Sequence, residues 1–203
     1  MGLQQGTVSL RRFLAIGPVP SLRDLHNGLN SDRFRPFEGG QEEERFGWVD
    51  WRNLLLTDID LDWIMQDRFA VFGLRMDTRK VPPTLLKAHT ELRIQELMKE
   101  KDLARVGREA RISLQDEVKA ELLLRVLPTP RIVEVAWDLK NGLLWTTASN
   151  AKAVSCLTSL CMKSFGIELQ PLTPMLLALR VAPQIPYDSL VALEPFNLCK
   201  GDL

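Results

Sequence analysis

The chain has little of what usually carries chemistry. Its 203 residues include two histidines, three cysteines and one tyrosine. His26 and His89 fall on predicted helices without a patterned Cys or Asp partner, which favours packing or surface roles over base catalysis. No GxxxxGK[ST] loop, GxGxxG loop or CxxC pair occurs, so the sequence signs of nucleotide-driven and zinc mechanisms are missing, and no cofactor is expected. Cys156, Cys161 and Cys199 are too few and too unevenly placed for a disulfide framework. Cys156 and Cys161 share a predicted helix and are expected as reduced, packed thiols. No apolar run approaches the roughly 20 residues of a membrane span, and the start, MGLQQGTVSLRR, lacks a signal-peptide core. A cytoplasmic protein without membrane partners is the expectation.

Net charge is absent too: 26 basic residues balance 26 acidic ones, which argues against coating nucleic acid by bulk charge. The distribution is uneven. Residues 38–74 hold nine acidic residues against three basic, residues 75–111 ten basic against six acidic, and residues 1–37 five basic against two acidic. Such asymmetry suits one basic and one acidic surface, or a set of solvated faces.

Hydrophobic residues make up 45% of the chain, ordinary for a globular protein. Residues 7–16 read as a strand, and Ser21 caps a helix that ends near Asn27-Gly28, with Asp24 completing a capping-box pattern. A loop with Pro36 and Gly39-Gly40 precedes a short strand at 46–51. Alternation predicts a strand at 67–78, and Pro82-Pro83 lead into a helix over 84–101. After a charged connector, Ser113 is predicted to cap a second helix with its stripe at Leu114, Val118, Leu122 and Val126. Pro128 and Pro130 stop it. A hairpin follows, turning at Asn141-Gly142, then a helix from Ser149 closed by Gly166, and a short strand at 167–169. The order predicts an α+β fold with antiparallel strands. It divides into residues 1–174 and a tail, 175–203, with two similar βαββ-type sub-lobes at 1–82 and 128–174 joined by helices within 83–127.

Two constellations stand out. The first is the basic set Arg75, Arg79, Lys80, Lys87, Arg93, Lys99, Lys101, Arg105, Arg108 and Arg111, spaced as phosphate contacts require, with Lys80, Thr84 and Lys87 near a helix N-terminus. The same residues also fit a solvated helix with intrahelical pairs. The second is Asp58, Asp60 and Asp62, which on a strand would share one face about 6.5–7 Å apart. A metal-dependent nuclease wants such carboxylates; an acidic edge strand shows the same alternation. Of the five tryptophans, Trp51 and Trp63 are the ones patterned for exposure and hence for stacking on bases, while Trp48, Trp137 and Trp145 read as less exposed.

The run FGLRMDTRKVPPTLLKAH at 72–89 joins strand, basic corner and helix. With Phe46-Gly47-Trp48-Val49, DEVKAELLLRVLP at 116–128, Val135-Ala136-Trp137-Asp138, Asn141-Gly142, Ser149-Asn150-Ala151-Lys152 and LQPLTP at 169–174, it resembles the RdgC family of recombination-associated DNA-binding proteins. The likeness spans residues 10–174 in order. It implies a non-enzymatic, nucleoid-associated homodimer, closing as a ring on double-stranded DNA without sequence preference and limiting recombinase filaments. Onto matching positions it carries Arg75, Arg79, Lys80 and Lys87, with Lys119 and Arg125 from the second helix; Arg93 joins them from the basic set.

Longer family members continue through a C-terminal region expected to be lacking here, which leaves ring closure to another arrangement. They also carry aromatics where this chain has Leu127-Pro128-Thr129-Pro130, which removes an aromatic contact at that place. The alternatives to DNA binding are an oligomeric interaction module that uses the same charged helices, and the metal-dependent nuclease.

Overall fold

A computed structural model describes residues 7–102 and 104–193. In chain order the elements are β1 (Arg11–Ile16), α1 (Leu22–Ser31), β2 (Glu44–Val49), α2 (Leu61–Ile64), β3 (Met65–Gln66), β4 (Phe69–Thr78) and α3 (Pro83–Glu100). Then come α4 (Arg108–Arg125), β5 (Thr129–Asp138), β6 (Leu143–Thr146), α5 (Ala151–Phe165), β7 (Glu168–Pro171), α6 (Pro174–Val181) and α7 (Tyr187–Val191). The fold is α+β. The strands form one antiparallel sheet in the order β2-β4-β5-β6-β1-β7, with β3 folded back on β4. Because β1 pairs with both β6 and β7, strands from the two halves of the chain share that sheet.

The longest ladder joins β4 to β5, from Phe69 opposite Asp138 to Thr78 opposite Thr129. Period-2 alternation puts Ala70, Phe72, Leu74 and Met76 on one face, where they meet Val133, Val135 and Trp137 of β5. Helices α1 and α5 cover that face with Leu25, Leu29, Ala153, Leu157 and Cys161. Trp48 and Phe72 meet edge-on at 5.0 Å between ring centroids, an arrangement worth about 0.5–1.5 kcal/mol beyond area burial.

Ser21 caps α1 as its sequence predicts, accepting from the Asp24 amide at 3.2 Å. The helix, however, runs through Gly28 to Ser31 rather than ending there. Gly28 is buried against α5, where a Cβ would lie 2.6 Å from the Ser164 carbonyl oxygen and 2.8 Å from the Phe165 ring. Its glycine serves close helix contact, not a stop.

Helix α4 also differs from expectation. It begins at Arg108 with Gly107 at the N-cap, more than a turn before Ser113, whose hydroxyl instead reaches Glu117 at 3.4 Å. Asn150 rather than Ser149 caps α5, accepting from the Ala153 amide at 2.7 Å, and Gly166 ends that helix in the left-handed conformation. The Asn141-Gly142 turn forms as predicted, with the Gly142 amide donating to the Asp138 carbonyl at 2.9 Å.

Cys161 is buried and Cys156 half-buried on α5, both as free thiols; burial pushes the Cys161 thiol far up. Cys199 lies outside the described residues. No helix among them is long and apolar enough to cross a membrane. The predicted tail begins with α6 and α7, neither of which has a buried residue.

Candidate nucleic-acid interface

Helices α3 and α4 pack on each other as a hairpin joined by residues 101–107. Pro83 stands in the first turn of α3, where its missing N–H costs nothing. Buried side chains are few on this pair: Ile94 on α3, Val118 and Leu123 on α4. The pair forms an arm attached to the sheet at its foot.

Arg79 makes that attachment. It is 4% exposed, lies 4.0 Å over the Phe37 ring, and donates to the carbonyls of Glu42 (2.7 Å), Gly40 (3.1 Å) and Leu123 (3.3 Å). Arg75, the other strand cation of the predicted set, forms a bidentate pair with buried Asp77 at 2.7 Å for each bond. It also donates to the Leu54 carbonyl and lies 4.1 Å over Phe34. Both guanidinium groups therefore hold internal partners and do not join a surface path. The sequence could not distinguish them from surface cations, because most of their partners are backbone carbonyls and rings from distant segments, and the closeness of Asp77 to Arg75 does not by itself signal burial.

The other five predicted residues are reachable. Lys80 is exposed immediately before α3. Lys87 is exposed on the first half of α3, 3.9 Å from Glu91, and with Arg111, Thr90 and Gln115 lines a shallow groove of about 300 Å³. Arg93, paired at 3.4 Å with Glu96, shares a second groove of about 190 Å³ with His89 and Arg125. Lys119 projects from α4 back toward the sheet and meets Glu43 at 2.5 Å. That bond and the Lys119 charge hold the Glu43 carboxyl below its usual range, with Lys80 adding a smaller pull, against the opposing effect of desolvation.

The acidic run is not a strand. Asp58 pairs with Arg33 at 2.5 Å, while Asp60 caps α2 by accepting from the Asp62 amide at 3.1 Å. Capping chemistry outcompetes the alternation, as Asp at an N-cap accounts for an otherwise unsatisfied helix donor. Among the described residues, no group of three or more His, Cys, Asp or Glu stands close enough to hold a metal ion. Trp63 is 55% exposed, with the Arg52 guanidinium 4.2 Å from its ring centre; Trp51 is half-buried, its indole donating to the Trp63 carbonyl. A polar cleft of about 540 Å³ beside β2 contains Arg33, Arg45 and Lys163, each paired with a carboxylate, together with exposed Arg35.

A family model described as "Putative exonuclease, RdgC" matches residues 12–181, from β1 through the end of α6. The chain belongs to the RdgC family. The match includes the whole arm and its foot, so RdgC membership covers each of the cations named above. No curated protein matches the chain. RdgC membership agrees with a recombination-related, DNA-associated role.

Proposed function

We propose that the protein binds duplex DNA through its phosphates, with little sequence preference, by means of the helical arm and its foot. The observation that carries this reading is the placement of Lys80, Lys87, Arg93, Lys119 and Arg125 along one projecting hairpin in a chain of the RdgC family. Cations strung along a path release counterions from successive phosphates and read no bases, which suits sliding occupancy rather than site recognition. The protein acts by occupying DNA, without chemistry, as a homodimer whose two copies surround or grip the duplex on the nucleoid. Occupied duplex is thereby closed to recombinase filaments. The separate engagements of Asp58 and Asp60 support occupancy over cleavage.

A second reading keeps the fold and turns the arm into a protein contact. Its support is the exposure of Leu85, Leu92 and Leu124 on the arm, together with the intrahelical pairs of Lys87 and Arg93.

The test is fluorescence anisotropy with a labelled random-sequence duplex at several salt concentrations, without metal. Wild type is compared with the double variant Lys80→Glu/Lys87→Glu. The expected result is affinity that falls steeply with salt, at about −0.9 in log K per log salt for each phosphate contact, and a double variant at least ~10-fold weaker with a flatter slope. Absence of binding at low salt would overturn the DNA reading and leave the arm as a protein contact.

A further inference from the structure

Three consecutive carboxylates lead into β2, and each meets a cation from a different place. Glu42 pairs with Arg45 of β2 at 2.5 Å, Glu43 with Lys119 of the arm at 2.5 Å, and Glu44 with Lys152 of α5. Of the three, Glu43 is the one whose side chain meets the arm. The Arg79 amide donates to the Glu43 carbonyl at 2.7 Å, and the charge of Lys80, the next residue, adds a smaller pull on the Glu43 carboxylate. Glu43 is thus paired with Lys119, on α4, and lies within the electrostatic reach of Lys80, at the exit of β4. The Glu43 and Lys119 side chains are 46% and 41% exposed, so the pair lies at the surface rather than in the core.

We infer that Lys80 and Lys119 form a phosphate-binding site at the foot of the arm, which Glu43 occupies in the free protein and which duplex DNA must take from it. This inference rests on the duplex-binding reading. A half-exposed ion pair is weak and screened by salt, so a polyanion that releases counterions displaces it, whereas an isolated carboxylate in solution gains nothing by doing so. Glu43 then works as an internal competitor. It lowers affinity for sparse anions and leaves the dense charge of a duplex as the effective ligand. Displacement also frees Lys119 from the loop that precedes β2, which removes one of the ties between arm and sheet.

The experiment extends the anisotropy titration to Glu43→Gln, Lys119→Gln, the Glu43→Gln/Lys119→Gln double variant, and Asp62→Asn. The last is an exposed carboxylate on α2 that matches the change in net charge. Glutamine keeps the backbone bond from Arg79, and thermal melts check that each variant is folded. Glu43→Gln is expected to tighten duplex binding about 3- to 10-fold and to steepen the salt slope by about one unit. Asp62→Asn should leave both nearly unchanged, and the gain should vanish when Lys119 is also replaced. If wild type binds and Glu43→Gln behaves like Asp62→Asn, the internal competitor is excluded while duplex binding stands. If neither wild type nor Glu43→Gln binds at low salt, both fail. Binding by Glu43→Gln alone would support the inference in its strongest form.

Discussion

The guanidinium of Arg79 donates to the main-chain carbonyl of Leu123 at 3.3 Å, so the exit of β4 holds the last turn of α4. The same group closes the loop before β2 through Gly40 and Glu42 and rests on the ring of Phe37. One buried cation therefore joins strand, loop and arm. The Lys119–Glu43 pair, about one turn earlier on α4, is a second and more exposed tie.

Replacing Arg79 should damage the fold before it affects any ligand. Arg79→Ala leaves several carbonyls without their donor and removes the contact with Phe37, at an expected cost of about 2–4 kcal/mol in chemical denaturation. Arg79→Lys should recover only part of this, because an ammonium cannot reproduce the planar fork. A change below ~0.5 kcal/mol for Arg79→Ala would contradict the assignment.

Two residues close in sequence should respond oppositely. Leu123 is 2% exposed and Leu127 is 86% exposed. Leu123→Ala is expected to cost about 2–4 kcal/mol, and Leu127→Ala less than ~0.5 kcal/mol, by urea denaturation of the isolated protein. Equal losses would mean that Leu127 is covered in solution.

Gly28→Ala should lower the melting temperature. The added methyl meets the Ser164 carbonyl and the Phe165 ring well inside van der Waals contact, so α1 or α5 must shift. The expected cost is about 1–3 kcal/mol, despite the better helix propensity of alanine. A higher melting temperature would show that propensity outweighs the clash.

Stability should fall in acid. Burial raises the Asp50 carboxyl, but bonds from the Arg52 side chain and amide outweigh it and hold the pKa below the ordinary 3.8. Asp138 is likewise raised by burial and lowered overall by Asn141, Arg68 and the Lys140 amide. Folded values below the unfolded ones mean that the stabilisation is present above about pH 4 and is lost as pH falls through the folded pKa. Denaturation midpoints measured from pH 2 to 7 should show this acid limb, flattened in Asp50→Asn.

Amide exchange should separate the arm from the sheet. Helices α3 and α4 bury only Ile94, Val118 and Leu123, while the β4–β5 ladder lies in the centre of the core. Arm amides are expected to exchange through local opening, faster than those of β4 and β5. Matching rates would make the molecule a single cooperative unit.

Much of the element order was legible because it depends on neighbours in sequence. The Asn141-Gly142 turn, the Ser21 cap, the Pro82-Pro83 entry to α3 and the stop at Gly166 all arise within a few residues. The errors arose where local signs had two uses. Asn27-Gly28 carries the local sign of a helix end, yet the missing side chain of Gly28 admits Ser164 and Phe165 of α5, more than 130 residues away. Ser113 has the chemistry of a cap, although α4 begins at Arg108 with Gly107 as its N-cap. Alternation in the Asp58–Asp62 run looked like a strand, but Asp60 caps a short helix.

The sequence by itself determined the α+β class, the RdgC membership and the pool of cations available to the proposed interface, since composition, turn chemistry and ordered motifs are properties of the chain alone. Only the tertiary structure decided which cations are reachable. Arg79 and Lys80 are neighbours with the same formal charge, yet one is buried under Phe37 and the other faces solvent. Their difference depends on carbonyls at Gly40, Glu42 and Leu123 and on an aromatic ring at Phe37, groups that converge only when β4, the loop before β2 and α4 meet.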